Sequence, residues 1–536
     1  MSFVSAVLRS PPSPTSSGSL RTFPRAAVCL TVTLYLALLA YIIPRHEPWA
    51  DEAQAWELAK YLSLKSLFGT YIHYEGSPGL WHALLWMLAR MHVTYAGMHW
   101  ITGAIACTGM ALLLMAAPFP LFLRMLLPFT YFFAFQYSVI ARSYVLFPPL
   151  LFALACFWPN RESRRGPVVL LIGLIANISV HGLAVALGLT LVLAIEFFQT
   201  GRKMHPQVRL LPHLLLLVAM LGFAGWCTWP APDAGLVVIA RKIEVSYNQR
   251  TAEDLASKLH PWMAHLPFEM QFAITTGHQL EDNLGQGLSN RFGLGQIAWL
   301  MLFWGWKRRG RLCYILPVAL LALLYKPMPF QFYHAGLLWV LFLFLWWVTF
   351  PQSGANCAPL QETGLLQKAL ILVVTLCVCI HLVWAGRAIR YDAVKAYSPD
   401  RDGAILLQQY LHQSKKVEIA IPSKLDGDGI GPFFITGLEP YFATEPIGNM
   451  PLRFWFWGWG EDMRPKYLFD SQNQSVIVIV EETEEDPRYR IEEKRLEHIG
   501  YVRDKVACGQ IFYPDRPNYP LCHAFYVPQN HAGSPL

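Results

Sequence analysis

The sequence predicts a mainly α-helical protein: a polytopic transmembrane helical bundle of about eleven to thirteen spans, at ~20 residues each, followed by a C-terminal α/β domain. Three observations predict it. Of the 536 residues, 54% are hydrophobic and 15% charged, against ~25% charged in an ordinary soluble domain. The mean hydropathy is +0.32, and apolar runs recur from Ala26 to Trp384. Beyond Arg387 the pattern changes to short buried strands and amphipathic helices.

Taken in order, residues 1–25, with their Ser- and Pro-rich start, read as a disordered cytoplasmic tail. A membrane domain spans 26–386. Its apolar runs are Ala26–Ile43, Gly79–Met91, Gly97–Ala117, Leu121–Tyr137, Tyr144–Trp158, Val168–Val180, Leu183–Phe198, Leu210–Trp229, Ile297–Trp306, Leu312–Tyr325, Ala335–Phe350 and Ala369–Trp384. Several are too short to span unless flanking residues extend them. The first is longer than a signal-peptide core and is followed by further apolar segments, so it reads as a retained anchor. Residues 387–536 form the α/β domain: Val417–Ile421 and Ser475–Val480 look like strands, Ala404–His412 and Glu492–Ile499 like helices. The aromatic run Arg453–Trp459 suits either a lipid interface or packing against the membrane domain.

The net charge of +7 does not indicate a nucleic-acid partner, because the basic residues lie in short loops. Arg161–Arg165, Arg202–Arg209 and Lys307–Arg311 mark cytoplasmic sides. Loops 44–78 and 230–295, the Lys326–Phe332 turn and the C-terminal domain then fall on the outer side. One contradiction remains: if Gly79–Met91, Gly97–Ala117 and Leu121–Tyr137 all cross, Gln136–Tyr144 lands inside, one span before another inside loop. One of the three is re-entrant or misdivided. Most of the ten cysteines lie in apolar segments, where a thiol behaves as a small hydrophobe. Cys508 and Cys522 lie in the outer domain, where a disulfide and two free thiols are both open.

The chemistry concentrates in Pro48–Leu85. Asp51 and Glu52 lie shortly past the end of the first apolar run, opening a stretch in which Ala53, Ala55, Trp56 and Ala59 form an apolar stripe. That pattern predicts a helix lying along the membrane surface. The plain alternative for Asp51 is an N-terminal cap. Further on, Tyr74-Glu75-Gly76-Ser77-Pro78-Gly79-Leu80-Trp81 launches the next apolar segment.

With Asp51-Glu52 followed by a helix and then Ser77-Pro78-Gly79-Leu80-Trp81, the chain resembles the GT-C superfamily of integral-membrane glycosyltransferases. The likeness is to the bacterial branch akin to protein O-mannosyltransferases and the aminoarabinose transferase of lipid A. That family carries an Asp-Glu pair in its first outer loop and a "PPLW-like" start to its second membrane segment; here the second proline is Gly79. The resemblance is specific over Asp51–Trp81 and otherwise covers only the general plan of many spans and an outer domain. It implies a polyprenyl-phosphate monosaccharide donor, an acceptor hydroxyl on a glycan, lipid or protein, and location in the bacterial inner membrane. Asp51 is implied as the base and Glu52 as its helper, orienting the acceptor, holding Asp51 or contributing to a divalent metal site. A single displacement without a covalent intermediate inverts the anomeric centre.

Departure of a polyprenyl phosphate needs cationic donors. Arg142 and Tyr144, between two apolar runs, fit that need; a snorkelling boundary arginine is the alternative. His334 is a further donor-phosphate candidate. Tyr333, His181, Asp233, His73 and Glu75 are candidate substrate-binding residues. Each has an ordinary explanation as well: interfacial packing for Tyr333 and His334, interhelical hydrogen bonding for Asn177 and His181, and a Pro/Asp turn for Asp233. No HExxH, CxxC or Gly-rich phosphate loop is present, which disfavours a nucleotide-sugar donor and leaves a metal undecided. The rivals are a membrane ligase or phosphotransferase for lipid-linked glycans, a transporter or flippase, and a non-catalytic envelope-assembly protein. A transporter wants polar residues aligned inside several helices and often internal repeats, and neither pattern is found.

Overall fold

The computed structural model describes residues 25–199, 210–232, 234, 294–324, 332–349 and 361–412, and in the C-terminal part 416–420, 434–442, 446–447, 450, 452–455, 476–483, 493–494, 496–510 and 520–529. It is mainly helical. Helix α1 (Arg25–Ile42) leads through an extended Glu47–Trp49 segment into α2 (Ala50–Tyr61), the short α3 (Leu64–Gly69) and α4 (Leu80–Arg90). After α5 (Tyr95–Ala116) the chain breaks into α6 (Leu121–Leu126), a 3-10 turn at Leu127–Phe129 and a π-helical turn at Phe132–Gln136. Then follow α7 (Phe147–Phe157), α8 (Arg165–Ala176), α9 (Val180–Gln199), α10 (Leu210–Thr228), α11 (Leu294–Arg308), α12 (Leu316–Leu324), α13 (Phe332–Thr349) and α14 (Gln361–Val394).

Five of the described helical segments are long and apolar enough to cross a membrane: Tyr95–Ala116, Ser143–Asn160, Val180–Gln199, Leu211–Thr228 and Gly364–Val394. They mark the chain as a membrane protein. Four shorter apolar helices, Ala26–Ile42, Arg165–Ala176, Leu312–Leu324 and Tyr333–Thr349, complete the set. Leucines exposed along α10, among them Leu211, Leu214 and Leu215, are what a lipid-facing helix presents. Most of the core is apolar: α13 is buried along nearly its whole length against Phe119, Phe152, Trp158 and Trp299.

The segment Gly79–Met91 differs from a membrane span. Helix α4 has 11 residues, about 16 Å at 1.5 Å each, half of a ~30 Å hydrocarbon core. Both its ends are tied to neighbouring segments. The Leu80 N–H donates to the Asn177 carbonyl at 3.1 Å, while Arg90 donates to the carbonyls of Lys60 (3.0 Å) and Leu62 (3.2 Å) at the far end of α2. The broken α6-to-π stretch beyond α5 leads the chain to Arg142, beside Asp51. Gly79 has a φ of +88°, where the Cβ of any other residue would meet Phe68 at 2.3 Å; a proline, fixed near −65°, does not fit there.

Helix α2 is not a surface helix either. Every residue from Glu52 to Ala59 is buried, because α4 and α5 cover one face, through Trp56, Trp81, Leu85 and Met98, and the C-terminal domain covers the other. Helix α14 runs on to Val394, eight residues past the expected boundary, and delivers the chain to α15 (Asp400–His412) and the strands β1 (Lys416–Ala420), β2 (Val476–Thr483), β3 (Tyr501–Gln510) and β4 (Pro520–Pro528). The sheet order is β1-β2-β4-β3, parallel between β1 and β2 and antiparallel elsewhere. Cys508 and Cys522 face each other across β3 and β4 and form a disulfide.

The C-terminal domain is bolted to α2 and the loop before it. Arg453 pairs with Glu57 (2.6 Å) and Glu439 (3.4 Å), and Gln54 exchanges two hydrogen bonds with the backbone of Trp455 (2.8 and 3.0 Å). Glu47 accepts from the Arg401 (2.8 Å) and Asp402 (3.4 Å) N–H groups at the start of α15, a carboxylate at a helix N-terminus. Ser398 donates to the Pro48 carbonyl at 2.8 Å. Of the aromatic run, Phe454 and Trp455 are buried in this seam.

Candidate functional site

Successive helix positions are 100° apart, and at the start of α2 that angle divides the acidic pair. Glu52 points inward, its side chain fully buried. One oxygen accepts from His46 Nε2 (3.3 Å) and the Trp49 N–H (3.2 Å), the other from His99 Nε2 (3.1 Å) and the Ala141 N–H (2.5 Å). Behind it, His46 Nδ1 lies 3.1 Å from both oxygens of Asp392 on α14. Burial alone would lower the His46 pKa, but Asp392 and Glu52 raise it to about 10, so the ring is a cation at neutral pH. Burial likewise opposes ionisation of Glu52, yet the bonds from His46 and His99 hold its carboxyl well below the usual range. Glu52 is therefore an anion with its acceptor positions occupied. It does not share a reaction centre with Asp51.

Asp51 faces the other way, its side chain 22% exposed, and its Oδ2 lies 2.7 Å from a guanidinium nitrogen of Arg142. Arg142 gets there because the π turn at Phe132–Gln136 ends in a short irregular stretch, and Arg142 itself is extended (φ −124°, ψ 162°). π turns of this kind recur at functional sites. The guanidinium lies 4.3 Å from the Tyr333 ring centre and 5.5 Å from that of Tyr144. It is a partly buried cation paired with Asp51. Tyr137 donates to the Tyr333 carbonyl at 2.6 Å, tying the π turn to the start of α13. Alongside, His181 and His334 lie with ring centres 4.2 Å apart, and Tyr144 is 5.7 Å from His334 and 6.3 Å from His181.

Six of the residues singled out in the sequence thus converge: Asp51, Arg142, Tyr144, His181, Tyr333 and His334. Glu75 borders them; it accepts from Gln54 at 3.3 Å and lies 3.4 Å from His82, close enough to Asp51 to disfavour its ionisation. His73 is elsewhere. Its Nδ1 bonds the Trp229 carbonyl at 2.8 Å and its ring meets Trp226, so it pins the loop to the end of α10. Asn177 donates to the carbonyls of Gly173 (2.8 Å) and Met220 (3.1 Å), the interhelical role. Asp233 lies outside the described residues.

Sequence reasoning missed His46, His99 and Asp392. A histidine inside an apolar helix was a usable signal for His99; nothing local marked the other two. Among the described residues no group of three or more His, Cys, Asp or Glu side chains has an arrangement that would hold a metal ion. The Asp51 carboxylate faces the Arg142 guanidinium, and the Glu52 oxygens accept from N–H donors.

What the site offers chemically is a partly exposed carboxylate held against a guanidinium, walled by two tyrosines and two imidazoles. Comparison of the chain with protein-family models, with curated proteins and with solved structures returns no match in any of the three.

Proposed function

We propose that this protein is a membrane glycosyltransferase of GT-C type that moves a monosaccharide from a polyprenyl-phosphate donor to an acceptor hydroxyl, with inversion, at the outer face of the bacterial inner membrane. The observation that carries it is the 2.7 Å contact between Asp51 and Arg142, a general base and a phosphate-binding fork in one place. The Asp51–Trp81 resemblance supplies the reaction class.

In this reading the donor phosphate engages Arg142, which releases Asp51 toward the acceptor. The Asp51 carboxylate takes the acceptor proton as the hydroxyl oxygen bonds to the anomeric carbon. The carbon–oxygen bond to phosphate breaks, and its electron pair leaves on the polyprenyl phosphate beside Arg142. Base assistance of this sort contributes ~10²–10⁴-fold, and electrostatic stabilisation of the departing oxyanion a comparable factor. Tyr144, Tyr333, His181 and His334 shape the sugar–phosphate end, while Glu75 lies on the Asp51 side and serves the acceptor.

The test is transfer of radiolabelled sugar from a panel of polyprenyl-phosphate monosaccharides into membranes containing the protein, with Asp51→Asn as the comparison. Transfer that needs Asp51 and leaves bare polyprenyl phosphate supports the reading. Transfer from a polyprenyl-pyrophosphate-linked glycan tested alongside, with release of the pyrophosphate lipid, instead favours the ligase or phosphotransferase class, and no transfer from any donor overturns the reading.

A further inference from the structure

The two acids at the start of α2 have different environments, and the difference assigns Glu52 a task of its own. Arg142 lies in the non-repetitive stretch between the π turn and Ser143, so no helix sets its direction. What holds the peptide just before it is the Ala141 N–H bonded to Glu52. That carboxylate is in turn fixed from three other sides, by His46, by His99 and by the Trp49 N–H. His46 is itself held by Asp392. Three segments of the chain, the loop before α2, α5 and the 137–142 stretch, therefore meet on a single buried carboxylate, and α14 joins them through His46.

We infer that Glu52 is a positioning residue, which through the Ala141 N–H aims the Arg142 guanidinium at Asp51, with His46, His99 and Asp392 as its supports. Its effect on turnover rests on the transferase reading above; its effect on geometry does not. Replacement by glutamine keeps the volume but turns an NH₂ group toward one of the two donor pairs. Either the His46–Trp49 side or the His99–Ala141 side then loses its acceptor and two donors oppose each other. The 137–142 backbone shifts, and Arg142 moves with it.

The experiment reads that movement directly. In the full chain, with the thiol cysteines other than Cys508 and Cys522 replaced, Asp51→Cys and Arg142→Cys are bridged by a short bis-methanethiosulfonate reagent. The yield is compared with Glu52 intact, with Glu52→Gln, and with Glu57→Gln, which loosens α2 at its Arg453 anchor. The yield falls for Glu52→Gln and holds for Glu57→Gln. Equal yields in all three, or an equal fall in both variants, overturn the inference. With Asp51 and Arg142 restored, Glu52→Gln lowers kcat by about 10²-fold, the size expected for a ~1 Å misplacement. A wild type that transfers no sugar, beside a yield that still depends on Glu52, sinks the transferase reading and leaves the positioning role standing. A yield indifferent to Glu52, beside an active wild type, does the reverse.

Discussion

Asp51 and Arg142 lie 2.7 Å apart, and the contact fixes how the carboxylate responds to pH. Burial raises the Asp51 pKa; Arg142 pulls it down, Glu75 and Glu52 push it up, and the balance is upward. A base works deprotonated, so transfer falls as pH drops through this raised pKa. The acid limb of the rate profile therefore lies above the ~3.9 of an ordinary aspartate. Glu75→Gln removes one of the raising charges and moves that limb to lower pH. A limb that stays in place in Glu75→Gln shows that Asp51 is not the titrating base.

Arg142→Ala is expected to cost about 10²–10³ in kcat, the loss seen when one oxyanion donor is removed. Arg142→Lys should recover little of it. The guanidinium stacks 4.3 Å from the Tyr333 ring centre while it pairs with Asp51, and an ammonium has neither the plane nor the fork to do both. Steady-state kinetics with the best donor from the panel checks this; a lysine variant within threefold of wild type would mean that charge alone matters.

Gly336 sets how closely α13 approaches the π turn. A Cβ there would meet the Tyr137 hydroxyl and the Phe132 ring, each at 2.5 Å, and Tyr137 is the residue that bonds the Tyr333 carbonyl. Gly336→Ala should lower stability by about 1–3 kcal/mol. It should also reduce transfer by more than the folded fraction explains, because Tyr333 and His334 move with α13. Thermal unfolding and a kcat normalised to folded protein separate the two losses.

The architecture was legible where composition decides it. Long apolar runs with basic loops announced the helical bundle, and alternating β-branched residues announced β1 and β2. The span count was less legible, because Gly79–Met91 is as apolar as a membrane helix, whereas α4 has only 11 residues and bonds Lys60, Leu62 and Asn177 at its two ends. Asp51 and Arg142 were legible as individual costs, an acid at a helix start and an arginine between apolar runs. The Glu52 array was not: Asp392 and His46 are 346 positions apart in sequence, and no local pattern encodes that meeting. The covering of α2 was hidden for the same reason. Glu57 and Gln54 meet Arg453 and Trp455, which arrive from the far end of the chain.

Arg453 is the anchor whose loss should be felt most. It is 4% exposed and sits between Glu57 and Glu439, also donating to the Glu439 and Phe442 carbonyls. Arg453→Ala leaves two buried carboxyls without their cation, a change that typically costs 3–5 kcal/mol. Arg453→Ala combined with Glu57→Gln and Glu439→Gln should cost less than the single change, since the uncompensated charges go with it. Limited proteolysis after Val394 reports the undocked domain; a triple variant cut faster than Arg453→Ala would contradict this account.

The same seam should respond to pH. Burial raises the Glu47 carboxyl to about 7 despite Arg401, and raises Glu439 to about 7 despite its bond from the Ile447 N–H and the nearby Arg453. Both values lie above the ~4.3 of a free glutamate, so each group binds a proton more readily when the domain is docked. The docked state thus carries more protons between pH 4 and 7, and its stability falls as pH rises through that window. The contribution is full below pH 4 and lost above pH 7, on the order of 1–3 kcal/mol for each group. Hydrogen exchange of the α15 amides should accordingly be slower at pH 5 than at pH 8 once corrected for intrinsic rates. In Glu47→Gln and Glu439→Gln together, protection should become nearly independent of pH. Protection that instead rises from pH 5 to pH 8 would mean that the pairing of these carboxylates with Arg401 and Arg453 outweighs their burial.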